Sequence, residues 1–103
     1  MRQEKKKYLS QYLYQEAIIN TLTQLKIKHP EKKEEYQSKI TQSIKLREKI
    51  EEKINLIDDY ILREILIQKY ILGKTLEEIG YILNYSKRHI ERLHIKALDS
   101  FEI

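Results

Sequence analysis

The chain has no cysteine, a single proline and only two glycines among its 103 residues. Without cysteine there is no disulfide framework and no thiolate to act as nucleophile or metal ligand. No apolar run reaches the length of a membrane span or a signal-peptide core, so a cytoplasmic protein without membrane partners is expected. A glycine-rich phosphate loop, a nucleophile elbow and a catalytic pair of carboxylates are all missing. An enzyme is therefore not expected, nor is a cofactor. His89 and His94 stand five apart, which does not bring them together as the i, i+4 spacing of a zinc helix would, so no metal site is expected.

What is present is the material of helices. Hydrophobic residues make up 41% and charged residues 35% of the chain, with Lys, Glu, Ile and Leu dominant. Such a composition reads as mostly helix. The length suits one small domain, or one with a helical extension, around a modest core. A net charge of +4 and a pI near 9.2 fit a polyanionic partner, but they equally fit a surface charged for solubility.

Apolar residues from Leu9 to Leu25 recur at helical spacing and predict a first helix over residues 4–28, ended by His29-Pro30. Glu31, Glu34 and Glu35 complement the positive end of a second helix. That helix carries Tyr36, Ile40, Ile44, Ile50 and Ile54 as a narrow stripe, suited to an antiparallel hairpin with the first helix or to a homodimer through residues 4–54. Asp58-Asp59 offer a new N-cap, although the pattern also allows an unbroken helix there. Tyr8, Tyr12, Tyr36 and Tyr60 sit at core spacing, and packing is their expected use. Lys5 to Lys7 read as a solvated terminal run with at most an auxiliary contact to phosphate.

Residues 60–72, YILREILIQKYIL, are apolar on nearly every side, which predicts a buried central helix capped by Gly73. Thr75 and Glu78 then form a capping box that starts another helix at Leu76. In that helix Gly80, which costs about 1 kcal/mol relative to Ala, implies a close backbone approach. Asn84 tolerates a left-handed conformation, Tyr85 can cover the corner, and Ser86 caps a last helix. The expected architecture is all-α: a long helical hairpin over residues 1–55, then a three-helix helix-turn-helix unit over residues 56–103.

In the last helix Ile90, Leu93, Ala97 and Phe101 fall on the inward side, with His94 at the boundary beside Leu98. Arg88, Glu91, Arg92 and Ile95 point the other way, and Lys87 stands in the first turn beside them. Arg can bridge the N7 and O6 of guanine, Glu can accept from cytosine, and Lys or Ser can hold phosphate at a helix N-terminus. His89 suits a phosphate or solvent contact. Spacing alone leaves two readings open for this face: a solvated surface, or a surface that reads duplex DNA.

Residues 56–101 resemble the fourth region of primary bacterial sigma factors, the helix-turn-helix that reads the upstream promoter element. The resemblance rests on Thr75-Leu76-Glu77-Glu78-Ile79-Gly80, on Ser86 and Ile90, and on Lys96-Ala97-Leu98. Nothing resembles the other sigma regions. A helical N-terminus followed by a solitary module of this kind is similar to small phage and prophage regulators of the RinA and ArpU type. The resemblance implies a transcriptional regulator that binds double-stranded DNA at the nucleoid of a bacterial cell. Its DNA-facing positions fall on Ser86, Lys87, Arg88, Glu91 and Arg92, with Lys74, His89 and Lys96 nearby. The family commonly has an acid where Arg88 stands and a base where Glu91 stands, so its usual base preference does not carry over. RNA polymerase is a further partner the resemblance implies, and an adaptor that docks on polymerase without reading DNA is the alternative.

Overall fold

The computed structural model describes all 103 residues as five α-helices without a strand. Helix α1 (Arg2–Lys28) ends at His29, and Pro30 opens a single 3-10 turn (Pro30–Lys32) that leads into α2 (Lys33–Asn55). The ring of proline fixes its φ and suits the first position of such a turn. Helix α1 and helix α2 pack antiparallel along their length. Three polar pairs keep one register: the Tyr12 hydroxyl donates to Glu51, Arg47 donates to Glu16 over 3.5 Å, and Lys26 donates to Gln37. The Tyr36, Ile40 and Ile44 stripe is thereby covered within the chain, with Ile40 buried and its neighbours half-buried. The intramolecular hairpin uses the surface that a second copy would have needed.

The second and third helices are separate. Leu56 to Asp59 turn the chain, and the Asp59 carboxylate accepts from the amides of Ile61 (2.9 Å) and Leu62 (3.2 Å) to start α3 (Tyr60–Leu66). A capping side chain of this kind satisfies amides that the helix itself leaves free. Tyr60, expected in the core, is 70% exposed, because the first residue of α3 stands on its outer side. Leu72 is exposed as well.

The predicted central helix is not regular to its end. Residues Ile67–Ile71 widen into a π turn, with the Leu72 amide donating to the Ile67 carbonyl at 3.0 Å. The physical reason lies in the sequence order. In a regular helix Lys69 would point at the middle of the face formed by Leu62, Ile65 and Leu66. One extra residue in the turn moves Lys69 to the rim and brings Tyr70 onto the core, where it is buried. Gly73 then adopts a φ of +74°, and the Lys74 amide closes back on Gln68 at 2.9 Å. This is a Schellman-like ending widened by that extra residue.

The core has two parts. The larger joins Leu9 and Tyr12 of α1 and Ile50 and Ile54 of α2 to Leu62, Leu66, Tyr70, Leu98 and Phe101. Packing is thus continuous across residue 56, and the root of the hairpin shares a core with the C-terminal helices. The smaller part, Ile65, Ile79 and Ile90, lies under α4 (Leu76–Leu83) and α5 (Lys87–Ser100). The tip of the hairpin projects away, and the molecule is 52 Å long and about half as wide. No helix is long and apolar enough to cross a membrane.

Candidate nucleic-acid interface

Helix α4 starts at the expected capping box. The Thr75 hydroxyl accepts from the Glu78 amide at 3.1 Å, and the Glu78 carboxylate accepts from the Thr75 amide at 3.0 Å. Those hydrogen bonds hold the Glu78 carboxyl below its ordinary range, with Lys74 adding a smaller effect of the same sign. Leu76, Ile79 and Leu83 face the small core. The helix ends at Asn84, whose φ of 59° and ψ of 44° place it in the left-handed region. An Asn tolerates that conformation better than most residues because its short amide bonds locally.

Gly80 explains how tightly the chain turns. The Tyr85 amide donates to the Gly80 carbonyl at 2.8 Å, and a Cβ on residue 80 would stand 2.9 Å from the Tyr85 carbonyl oxygen. The close approach comes from the turn itself. Gly80→Ala would normally strengthen a helix by about 1 kcal/mol, but here it forces backbone against backbone. A net destabilisation of about 1 to 3 kcal/mol is expected, measurable as a lower urea midpoint with an unchanged m-value.

Ser86 caps α5: it is extended, and its hydroxyl accepts from the His89 amide at 3.2 Å. The Tyr85 ring stands edge-on to the His89 imidazole, with centroids 4.7 Å apart. Ile90, Ala97, Leu98 and Phe101 are buried, and Leu93 is half-buried, which fixes the rotation of the helix. Ser86, Lys87, Arg88, His89, Glu91, Arg92 and Lys96 are all exposed. Arg88, Glu91 and Arg92 share the outward face with Ile95, while His89 and Lys96 flank it on one side and Lys87 on the other. The structure brings these residues of α5 together. Lys74 stands apart from them, half-buried at the start of α4 and near Glu78.

The electrostatics of this face are unusual for a helix start. The first turn of α5 contains no acidic residue and carries Lys87, Arg88 and His89 instead. Positive side chains at the positive end of a helix oppose its dipole, by some tenths of a kcal/mol each. No salt bridge within the chain relieves Lys87, Arg88, Arg92 or Lys96. Free amides and unpaired cations at one point form an arrangement suited to a phosphate. At the other end of the helix, Arg2 holds Asp99 with two hydrogen bonds of 2.9 and 3.0 Å, and Lys5 donates to the Leu98 carbonyl at 2.9 Å. Of the Lys5 to Lys7 run, at least Lys5 thus has a structural use.

Two features escaped the sequence reading. Tyr81 is 85% exposed on α4 and, with Glu77 and Lys87, lines the shallow cleft at the turn. Its position opposite Ile79 and Leu83 was the available signal. His94 is not a boundary residue: it is buried, and its Nε2 is 2.9 Å from the Tyr70 hydroxyl. No pattern in the sequence pairs residues so far apart.

Burial, reinforced by the charges of Lys69 and Lys6, pushes the His94 pKa down to about 4 from an ordinary 6.5. Between these values the unfolded chain binds a proton that the folded one refuses, so stability rises with pH across the window. The contribution is complete above pH 6.5 and lost as the pH falls towards 4, and a difference of this size is worth about 3 kcal/mol. Urea unfolding at a series of pH values checks it. In His94→Gln this part of the acid sensitivity should vanish.

Comparison of the chain with family models, with curated proteins and with solved structures finds no match.

Proposed function

We propose that the protein is a sequence-specific transcriptional regulator that binds double-stranded DNA with α4 and α5 acting as a helix-turn-helix. The observation that carries this reading is the exposed, unpaired face of Lys87, Arg88, Glu91 and Arg92 at the capped start of α5. In the proposed complex this half of α5 enters the major groove, where the N-terminal residues of a recognition helix meet base edges. Lys87, the amides near Ser86, His89, Lys96 and, from the turn before α4, Lys74 hold phosphates and set the register. Arg88 and Arg92 donate to guanine, and Glu91 accepts from cytosine. The resemblance to sigma region 4 supports the same assignment and suggests a phage or prophage regulator.

Selection of duplexes from a random pool by the full chain, followed by footprinting, tests the proposal. Enrichment of one short motif is the expected result, with an affinity that falls steeply as salt is added. Each phosphate contact contributes roughly −0.9 to the slope of log K against log salt. An unselective pool and a flat salt dependence would reject DNA reading.

A second reading has its own observation. Tyr81 and Ile82 on α4 are 85% and 52% exposed, which gives an adaptor docking on RNA polymerase or another regulator an apolar contact surface. Tyr81→Ala separates the two. It should leave duplex affinity nearly unchanged if α5 reads DNA, and abolish polymerase binding if α4 is the docking helix.

A further inference from the structure

Away from the outward face of α5, the first half of α1, the π turn, the start of α4 and the middle of α5 line an open cleft of about 440 Å³. Volumes of this order hold small organic ligands. Lys6 and Ser10 lie one turn apart on α1 and face it, and Lys69 stands at its rim because the π turn has rotated it off the core. Leu13 and Leu76 supply an apolar wall. The floor is the Tyr70–His94 pair. No acidic residue lines the cleft, and neither lysine takes part in a salt bridge.

The buried pair has a hydrogen to spare. Burial raises the Tyr70 pKa to about 12, so its hydroxyl keeps its proton, and a neutral His94 carries one as well. A single hydrogen bond joins them through Nε2. If Tyr70 donates, the ring proton is on Nδ1, which has no partner in the chain. If Nε2 donates, the Tyr70 hydroxyl hydrogen is free instead. Either way one donor has no partner within the chain, and because no side-chain nitrogen or oxygen is both sealed and unpaired, His94 Nδ1 is left open to solvent. The Lys6 ammonium without a partner, the Lys69 ammonium 5.7 Å from the centroid of the Tyr70 ring, and an apolar wall beside the Tyr70–His94 pair together describe the complement of an anion with an apolar body.

We infer that this cleft is a binding site for a small organic anion, a carboxylate or a phosphate monoester attached to an apolar group. The anion's oxygens meet Lys6, Lys69 and the free donor of the Tyr70–His94 pair, and its body covers Leu13 and Leu76. His94 lies about half a turn round α5 from Arg92, so the site is separate from the proposed base-reading face.

His94 itself reports on occupancy. The groups facing it are Lys69 of the π turn, Lys6 of α1 and the Tyr70 hydroxyl, and the two cations disfavour its protonation. A bound anion reverses that field and moves its titration upwards. The His94 ring resonances of the full chain should be followed by NMR during titration with benzoate and with phenyl phosphate, and with acetate and inorganic phosphate as probes lacking the apolar body. The expected result is a saturable shift at millimolar benzoate or phenyl phosphate and a higher His94 titration midpoint. The smaller anions should bind several-fold more weakly. The Lys6→Met/Lys69→Met variant should lose affinity by about tenfold or more, whereas Arg92→Ala should not. The inference is overturned if no probe gives a saturable response at His94, if the lysine variant responds equally, or if acetate and phosphate bind as well as the aromatic probes. The measurement needs no DNA, so its outcome is independent of the role proposed for α5.

Discussion

Arg92→Ala is expected to weaken binding to the selected duplex by about 1 to 3 kcal/mol, roughly 5- to 150-fold, and to relax specificity at one base pair. Arg92 is one turn beyond Arg88 on the outward face, exposed and without an internal partner, so truncation removes no contact that the fold uses. Stability should therefore change by less than about 0.5 kcal/mol. Lys87→Ala provides the contrast. It should weaken selected and random duplexes alike and flatten the salt dependence by about one phosphate's worth. Fluorescence anisotropy at several salt concentrations, with matched and mismatched duplexes, measures all of these. Equal affinity of Arg92→Ala and the parent chain for every duplex would remove α5 from the reading surface.

Phe101→Ala should act on the fold instead, with an expected loss of about 3 to 5 kcal/mol. Phe101 has left the helix, with a φ of −81° and a ψ of 133°, yet its side chain is wholly buried. Its ring lies 5.9 Å from that of Tyr8, and its amide donates to the Ala97 carbonyl at 3.0 Å. The ring thus ties α1 to the end of α5, in the larger core that also contains Ile54 and Leu62. A small domain is stable by only about 5 to 15 kcal/mol, so this one truncation removes a large share of the total. Urea unfolding should show it directly. Below the lowered melting temperature the variant should still bind duplex, because the capped start of α5 rests on the other core part, Ile65, Ile79 and Ile90.

Local signals in the sequence were sufficient for much of the α4–α5 region. Thr75 and Glu78, Gly73, Asn84 and Ser86 each carry their conformational reason within a few residues, and each does in the structure what its chemistry implies. The outward placement of Arg88, Glu91 and Arg92 was equally legible, since it follows from helical geometry once Ile90 and Ala97 face inward. Legibility failed where an outcome depends on a partner distant in sequence. Tyr60 had the right spacing for the core, but nothing reaches over the outer side of α3 to cover it. The helical stripe of α2 suited a second copy or α1 equally, and only the register set by Tyr12, Glu16 and Lys26 against Glu51, Arg47 and Gln37 decides for α1.

The sequence by itself therefore determined the helices, most of their ends and the face that α5 turns outward, because these depend on periodicity and capping within a few residues. Tertiary structure alone decided the π turn that moves Lys69 to a rim, the burial of His94 against Tyr70, and the cleft those residues share with Lys6. Each of these arises from three or four elements competing for one volume. Burying Tyr70 in place of Lys69 avoids the cost of desolvating a charge, and that comparison exists only once α1, α3 and α5 have met.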